Sequence, residues 1–126
     1  MDTVIITYGN PVPASLQDGK FLQLQWRGRQ YLIFAPTALY RYHNQLLERF
    51  LSDHNLACHW SGPEHLELDT PAVEVCGGGR FRVDAAGGTL ALWDDSHAYG
   101  RFRESGLAAA IAAAGHPWSG FHITIG

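Results

Sequence analysis

The sequence predicts an α+β domain: a single mixed, mostly antiparallel β-sheet with two α-helices packed on it. Three observations carry this reading. Segments that alternate apolar and polar residues recur along the chain, and most are joined by hairpin-length connections. Only two stretches show the three- and four-residue apolar spacing of an amphipathic helix. The length of 126 residues fits one domain, with no internal repeat, low-complexity tract or interdomain linker.

The elements follow in order. Thr3 to Thr7 is expected as a short strand, and residues 8–19, with Gly9, Pro11, Pro13, Asp18 and Gly19, as an irregular loop. From Lys20 to Trp26, Leu22, Leu24 and Trp26 share one face against Gln23 and Gln25, a period of two. Arg27-Gly28-Arg29 reads as a turn, and Gln30 to Ala35 as the strand that returns from it. Leu39, Tyr42, His43, Leu46, Leu47 and Phe50 place a helix from about Tyr40 to Asn55. Leu56–Trp60 reads as a short strand that Gly62-Pro63 breaks, and His65–Leu68 as either another strand or a turn. Ala72–Cys76 and Arg80–Asp84 alternate on either side of Gly77-Gly78-Gly79, and Ala85–Gly88 forms a hairpin loop to a strand at Thr89–Trp93. Arg101–Ala114 is the second helix, with its stripe at Leu107, Ile111 and Ala114, Gly115 at its C′ position and Pro117 beyond. Phe121–Ile125 is the last strand.

Composition bounds the function. A hydrophobic fraction of 46% with 12% aromatic residues supplies a core and excludes global disorder. A net charge of −3 argues against coating nucleic acid or an anionic membrane. No apolar run approaches the roughly 18 residues a membrane span needs. No basic segment precedes the apolar residues of Met1–Thr7, so the cytoplasm is expected, with Cys58 and Cys76 reduced; separately, a monomer is expected.

Several features could carry chemistry. Cys76-Gly77-Gly78-Gly79-Arg80 lacks the Lys-Ser/Thr pair of a P-loop and is followed by a strand, unlike a dinucleotide fingerprint. It reads either as a glycine bulge between strands or as backbone that lets a ligand approach beside Arg80. His43 opens the first helix. It is either a core-edge histidine with one hydrogen bond or a base beside an anion held at the helix N-terminus. His54, Cys58, His59 and His65 cluster, but their spacing matches no zinc motif, and no metal is expected. Ser96 lies between Asp95 and His97, and adjacency alone does not make a triad. Trp26, Trp60, Trp93 and Trp118 read as core residues rather than a stacking surface.

Four segments together carry a resemblance. Lys20-Phe21-Leu22, Tyr42-His43 opening a helix, Glu74-x-Cys76-Gly77-Gly78-Gly79-Arg80, and Ser96-His97-Ala98-Tyr99-Gly100 stand in an order that resembles the Janus/Ocnus family, which includes protein-histidine phosphatases. They cover most of residues 18–126, and the glycine-arginine and serine-tyrosine-glycine segments are the specific ones. The resemblance implies a phosphohistidine phosphatase-like fold and a metal- and cofactor-independent hydrolase acting on a phosphoramidate such as phosphohistidine or phospholysine, in a protein or a small molecule. It implies His43 and Lys20 as catalytic residues, and His43, Asn44, Ser96, His97 and Ala98 as the phosphate cradle. Arg80, Gly77, Gly78, Gly79, Tyr99 and Gly100 would support it. The alternative is a non-catalytic phosphate- or phosphoprotein-binding module of the same fold. The chain departs from the family at Asp94 and Asp95, just before the serine, at Glu104, where a helper histidine is expected, and in a longer segment between His43 and Gly77.

Overall fold

The computed structural model describes residues 2–9 and 16–126. In chain order the elements are β1 (Asp2–Thr7), β2 (Leu16–Trp26), β3 (Arg29–Pro36), α1 (His43–Asp53), β4 (Cys58–Gly62), β5 (His65–Leu68), β6 (Glu74–Asp84), β7 (Thr89–Trp93), α2 (Leu107–Ala113), a 3₁₀ turn (Pro117–Gly120) and β8 (His122–Ile125). Six strands form one sheet in the order β1-β3-β2-β6-β7-β8, and β4 and β5 form a separate two-stranded ribbon. The class is α+β, as the patterning predicts. The expectation of a single sheet is corrected by that ribbon.

The pairings are antiparallel through the centre, from β3 through β2 and β6 to β7. They are parallel at both edges, β1 with β3 and β7 with β8. The helix α2 supplies the crossover that a parallel β7–β8 pair requires. The two helices cover opposite faces. Leu22, Leu24 and Trp26 of β2 pack with Leu46, Leu47 and Phe50 of α1. Phe21 of the same strand packs with Phe81, Leu92, Leu107 and Ile111 on the other face. Alternation along β2 therefore sends successive side chains into two separate cores.

The hairpin of β2 and β3 turns at Arg27 and Gly28, which have φ of 52° and 71°. Two successive left-handed residues are what a type I′ turn needs, and Trp26 faces Arg29 across it.

Several expected boundaries move. β4 runs Cys58–Gly62 rather than Leu56–Trp60, so Gly62, expected to break the strand, is its last residue and pairs with His65. β2 begins at Leu16, so Gln17–Gly19 belong to the strand rather than to a loop. Residues 10–15, with Pro11 and Pro13, lie outside the described residues. Gly19 is required in this strand, because a Cβ there would stand 2.1 Å from the carbonyl oxygen of Ala35. The first helix starts at His43, three residues late, because Leu39 and Tyr40 are held in a turn by the Pro36 carbonyl. Leu39, expected on the apolar stripe, is exposed.

The three glycines do not separate two strands. They lie inside the continuous β6, with a bulge opposite Gln23 and Leu24. Finally, α2 starts at Leu107 rather than Arg101. Arg101 instead bridges to Gly78, and Phe102 is buried in the second core. Gln23, 2% exposed, pins this segment: its amide exchanges hydrogen bonds with the backbone N–H and carbonyl of Arg103 and donates to Gln30. Among the described residues no helix is long and apolar enough to cross a membrane.

Candidate functional site

The site is built where α1 begins over the centre of the sheet. His43 is the first helical residue and is 5% exposed. Its Nε2 lies 3.0 Å from the carbonyl oxygen of Gly79. The ring also fills the space above Gly78, where a Cβ would meet His43 Cδ2 at 2.6 Å and Nε2 at 2.9 Å. The glycine run thus makes room for a side chain of this protein. Gly79 does the same on the opposite face, where its missing Cβ admits the ring of Phe102.

A carbonyl can only accept, so the ring proton sits on Nε2 and the lone pair on Nδ1. Among the described residues no buried side-chain nitrogen or oxygen is left sealed without a hydrogen-bond partner. Burial pushes the His43 pKa below the ordinary histidine value. The Gly79 carbonyl opposes that shift, the charge of Lys20 adds to it, and the Phe21 carbonyl and Asp94 oppose it. Burial is the largest of these influences, so the imidazole is neutral near pH 7.

The second part of the site is the turn Ser96–Gly100. Ser96 and Gly100 exchange backbone hydrogen bonds of 3.0 and 2.8 Å, and Gly100 adopts a left-handed φ of 79°. The Gly100 carbonyl then accepts from Gly78 N–H at 3.0 Å. The residue under the His43 ring therefore also anchors this turn. Ser96 is 3% exposed, and its Oγ accepts from Tyr99 N–H at 3.2 Å. The amides of His97 and Ala98 lie at the exposed tip.

His43, Asn44, Ser96, His97, Ala98 and Tyr99 line one cavity of about 1040 Å³. No side chain caps the first turn of α1; only Gln45 reaches back, accepting from Tyr42 N–H at 3.0 Å. The Asn44 side chain is partly engaged, donating one N–H to the Glu64 carbonyl at 3.3 Å.

Lys20 does not line that cavity. It lies on the His43 face of β2, in register with Arg80, two residues along from Leu22 opposite Gly78. Its charge is felt at His43. Arg80 is exposed and stacks over Trp93, 5.5 Å from the ring centre. Gly77 takes a φ of 147° at the bulge, close against the Arg101 backbone. Asp94 and Asp95 are both exposed. Asp94 influences His43 as above, and its carbonyl accepts from Arg101 at 3.0 Å. Glu104 pairs with Arg101 rather than turning to His43.

The remaining histidines and Cys58 do not form a cluster. His54 Nδ1 donates to the Phe50 carbonyl at 2.8 Å and packs among Trp26, Tyr31 and Phe50. His59 pairs with Asp69. Among the described residues no group of three or more His, Cys, Asp or Glu is placed to hold a metal.

Sequence reasoning missed one whole wall of the cavity, formed by the β4–β5 ribbon. Trp60, expected in the core, is 39% exposed there, and its indole N–H donates to Glu48 of α1. Glu64, His65 and Glu67 complete the wall. The available signal was the long segment between His43 and Gly77, which had no counterpart in the resemblance. A scan against models of known protein families returns no match for this chain, and a search of curated proteins returns no significant relative.

Proposed function

We propose that this protein is a phosphohistidine phosphatase-like hydrolase that cleaves the P–N bond of a phosphoramidate without a metal, using His43. The observation that carries the reading is the orientation of one ring. His43 gives its Nε2 proton to the Gly79 carbonyl, which leaves the lone pair on Nδ1, and at the N-terminus of α1 it lines a cavity together with Ser96–Ala98. The order of the four Janus/Ocnus-like segments supports the same reading.

The parts act as follows. Backbone N–H groups of His43 and Asn44, with those of His97 and Ala98 and the Ser96 hydroxyl, hold phosphoryl oxygens. Lys20 neutralises charge from the adjacent sheet position. Nδ1 supplies an electron pair. Given to phosphorus, it forms an Nδ1–P bond as the P–N bond breaks, and water then releases orthophosphate and restores the imidazole. Given to a proton of water, it drives direct attack of that water on phosphorus. In both routes the departing nitrogen leaves with the bond pair and carries a proton, becoming an amine. A protonated phosphoramidate nitrogen is a good leaving group, so positioning and neutralisation suffice.

The test is release of orthophosphate from phospholysine or phosphohistidine in the presence of a chelator. Wild type should turn over and His43→Gln should not. An inert wild type that still binds phosphate would establish the binding-module alternative instead. Quenched single turnovers distinguish the two routes by the presence or absence of phosphorylated His43.

A further inference from the structure

The cavity is charged the wrong way for an ordinary phosphate site. Glu48, Glu64 and Glu67 line it, and no lysine or arginine does. None of the three glutamates belongs to an ion pair among the described residues. The carboxylates stand on α1 and on the ribbon, whereas the phosphoryl cradle stands at His43 and the turn at Ser96–Ala98. Tyr42, Trp60 and Tyr99 line the same space, the first two exposed. Trp60 is 39% exposed and oriented by its indole hydrogen bond to Glu48, and Tyr42 is 55% exposed. Glu67 also accepts from the Ser61 hydroxyl at 3.3 Å, but no cation among the described residues neutralises these carboxylates, and exposed aromatic faces beside them suit an organic cation. The second observation at this site is His43, which is 5% exposed, lines the same cavity and has its Nε2 taken by the Gly79 carbonyl, so that its lone pair is on Nδ1.

Size points the same way. About 1040 Å³ is at the upper end for a small-molecule site, so one phosphorylated side chain leaves room for its neighbours. We infer that the ribbon makes this site selective for phosphorylated residues flanked by lysine or arginine, the phosphoryl group lying at His43 and the flanking cation between Trp60, Glu64 and Glu67. The inference rests on the proposed phosphoryl site and adds to it the class of peptide that enters. The wall also explains how an acidic cavity avoids conflict with its substrate: a free anion binds at the cradle only weakly, and one that arrives with a compensating cation binds better.

The experiment compares two phospholysine peptides, one flanked by arginine and one by glutamate, on wild type and on Glu64→Gln/Glu67→Gln. Both glutamates are exposed, so the fold does not depend on them. Wild type should favour the arginine-flanked peptide in kcat/KM by roughly fivefold to tenfold, the range two partly exposed charge pairs provide. The preference should fall towards unity in the double variant and, for wild type, in high salt. Equal rates on the two peptides, or a preference that survives both neutralisation and salt, would overturn the inference. Inorganic phosphoramidate, which has no flanking group, reports the phosphoryl site alone. If wild type hydrolyses neither it nor the peptides, the phosphatase reading fails, and the wall is judged by titration with the unphosphorylated peptides. Tighter binding of the arginine peptide to wild type, lost in the double variant, supports the wall. Indistinguishable binding of the two peptides overturns it.

Discussion

The His43 ring and Gly78 occupy what would otherwise be the same space: a Cβ on Gly78 would stand 2.6 Å from His43 Cδ2 and 2.8 Å from the Phe21 carbonyl oxygen. One of those neighbours is backbone at the sheet centre, so the ring must yield. Gly78→Ala should therefore destabilise the fold by about 1–3 kcal/mol, as overpacking does. It should also lower turnover more than the stability loss explains, because it moves Nδ1. Gly120→Ala, with open space at the Cβ position and no left-handed φ, is the comparison and should leave the thermal midpoint nearly unchanged. Thermal unfolding and phosphate release on the same samples check both.

His43 is buried, so truncation to alanine confounds chemistry with a cavity. His43→Gln is the cleaner variant. Its amide keeps an N–H donor for the Gly79 carbonyl and has no basic nitrogen. We expect hydrolysis to fall at least about a hundredfold, the scale of a lost general base. Phosphate affinity should fall only modestly, since backbone N–H groups do most of the holding. Isothermal titration with phosphate separates the two effects.

Lys20 and Asp94 push the His43 pKa in opposite directions, Lys20 down and Asp94 up. Lys20→Ala should raise that pKa and weaken phosphate binding, while Asp94→Asn should lower the pKa and strengthen binding. Following the ring resonances by NMR through a pH titration gives both signs. A shift of the same sign in both variants would refute the placement of these charges around His43.

Burial lowers the pKa of His43, and also that of His116. Below the ordinary histidine value of about 6.5, the unfolded chain takes up protons that the folded chain refuses. Stability is therefore complete above about pH 6.5 and declines on acidification until the folded-state pKa values are reached. Urea unfolding across that window should show the decline. His43→Gln should remove part of it, and His43→Gln with His116→Gln more.

Legibility in the sequence followed how local each cause was. The β2–β3 hairpin was readable because period-two alternation and Arg27-Gly28 are neighbouring features. The helix α1 was readable from its stripe, but its start was not, because Leu39 continues the spacing while the Pro36 turn holds it outside. The continuity of β6 was hidden, since Gly78 and Gly79 have no side chains to alternate. Their reason lies in His43 and Phe102, distant in sequence. The start of α2 was hidden likewise, because Arg101 and Phe102 are pinned by Gly78 and by Gln23 across the sheet. Of the candidate site, His43, Asn44 and Ser96–Ala98 were chosen by motif, and they meet in one cavity. The ribbon wall of Trp60, Glu64 and Glu67 carries no local motif and emerges only when β4–β5 folds over α1.

The central claim is that His43 presents an unprotonated Nδ1 to the phosphoryl cradle. The most direct measurement is the pair of ring-nitrogen NMR shifts of His43 at neutral pH, before and after addition of phosphate. The account predicts a neutral ring with the proton on Nε2, a bare Nδ1, and a change concentrated on Nδ1 when phosphate enters. A ring protonated on Nδ1, or ring nitrogens that do not respond to phosphate, would contradict it.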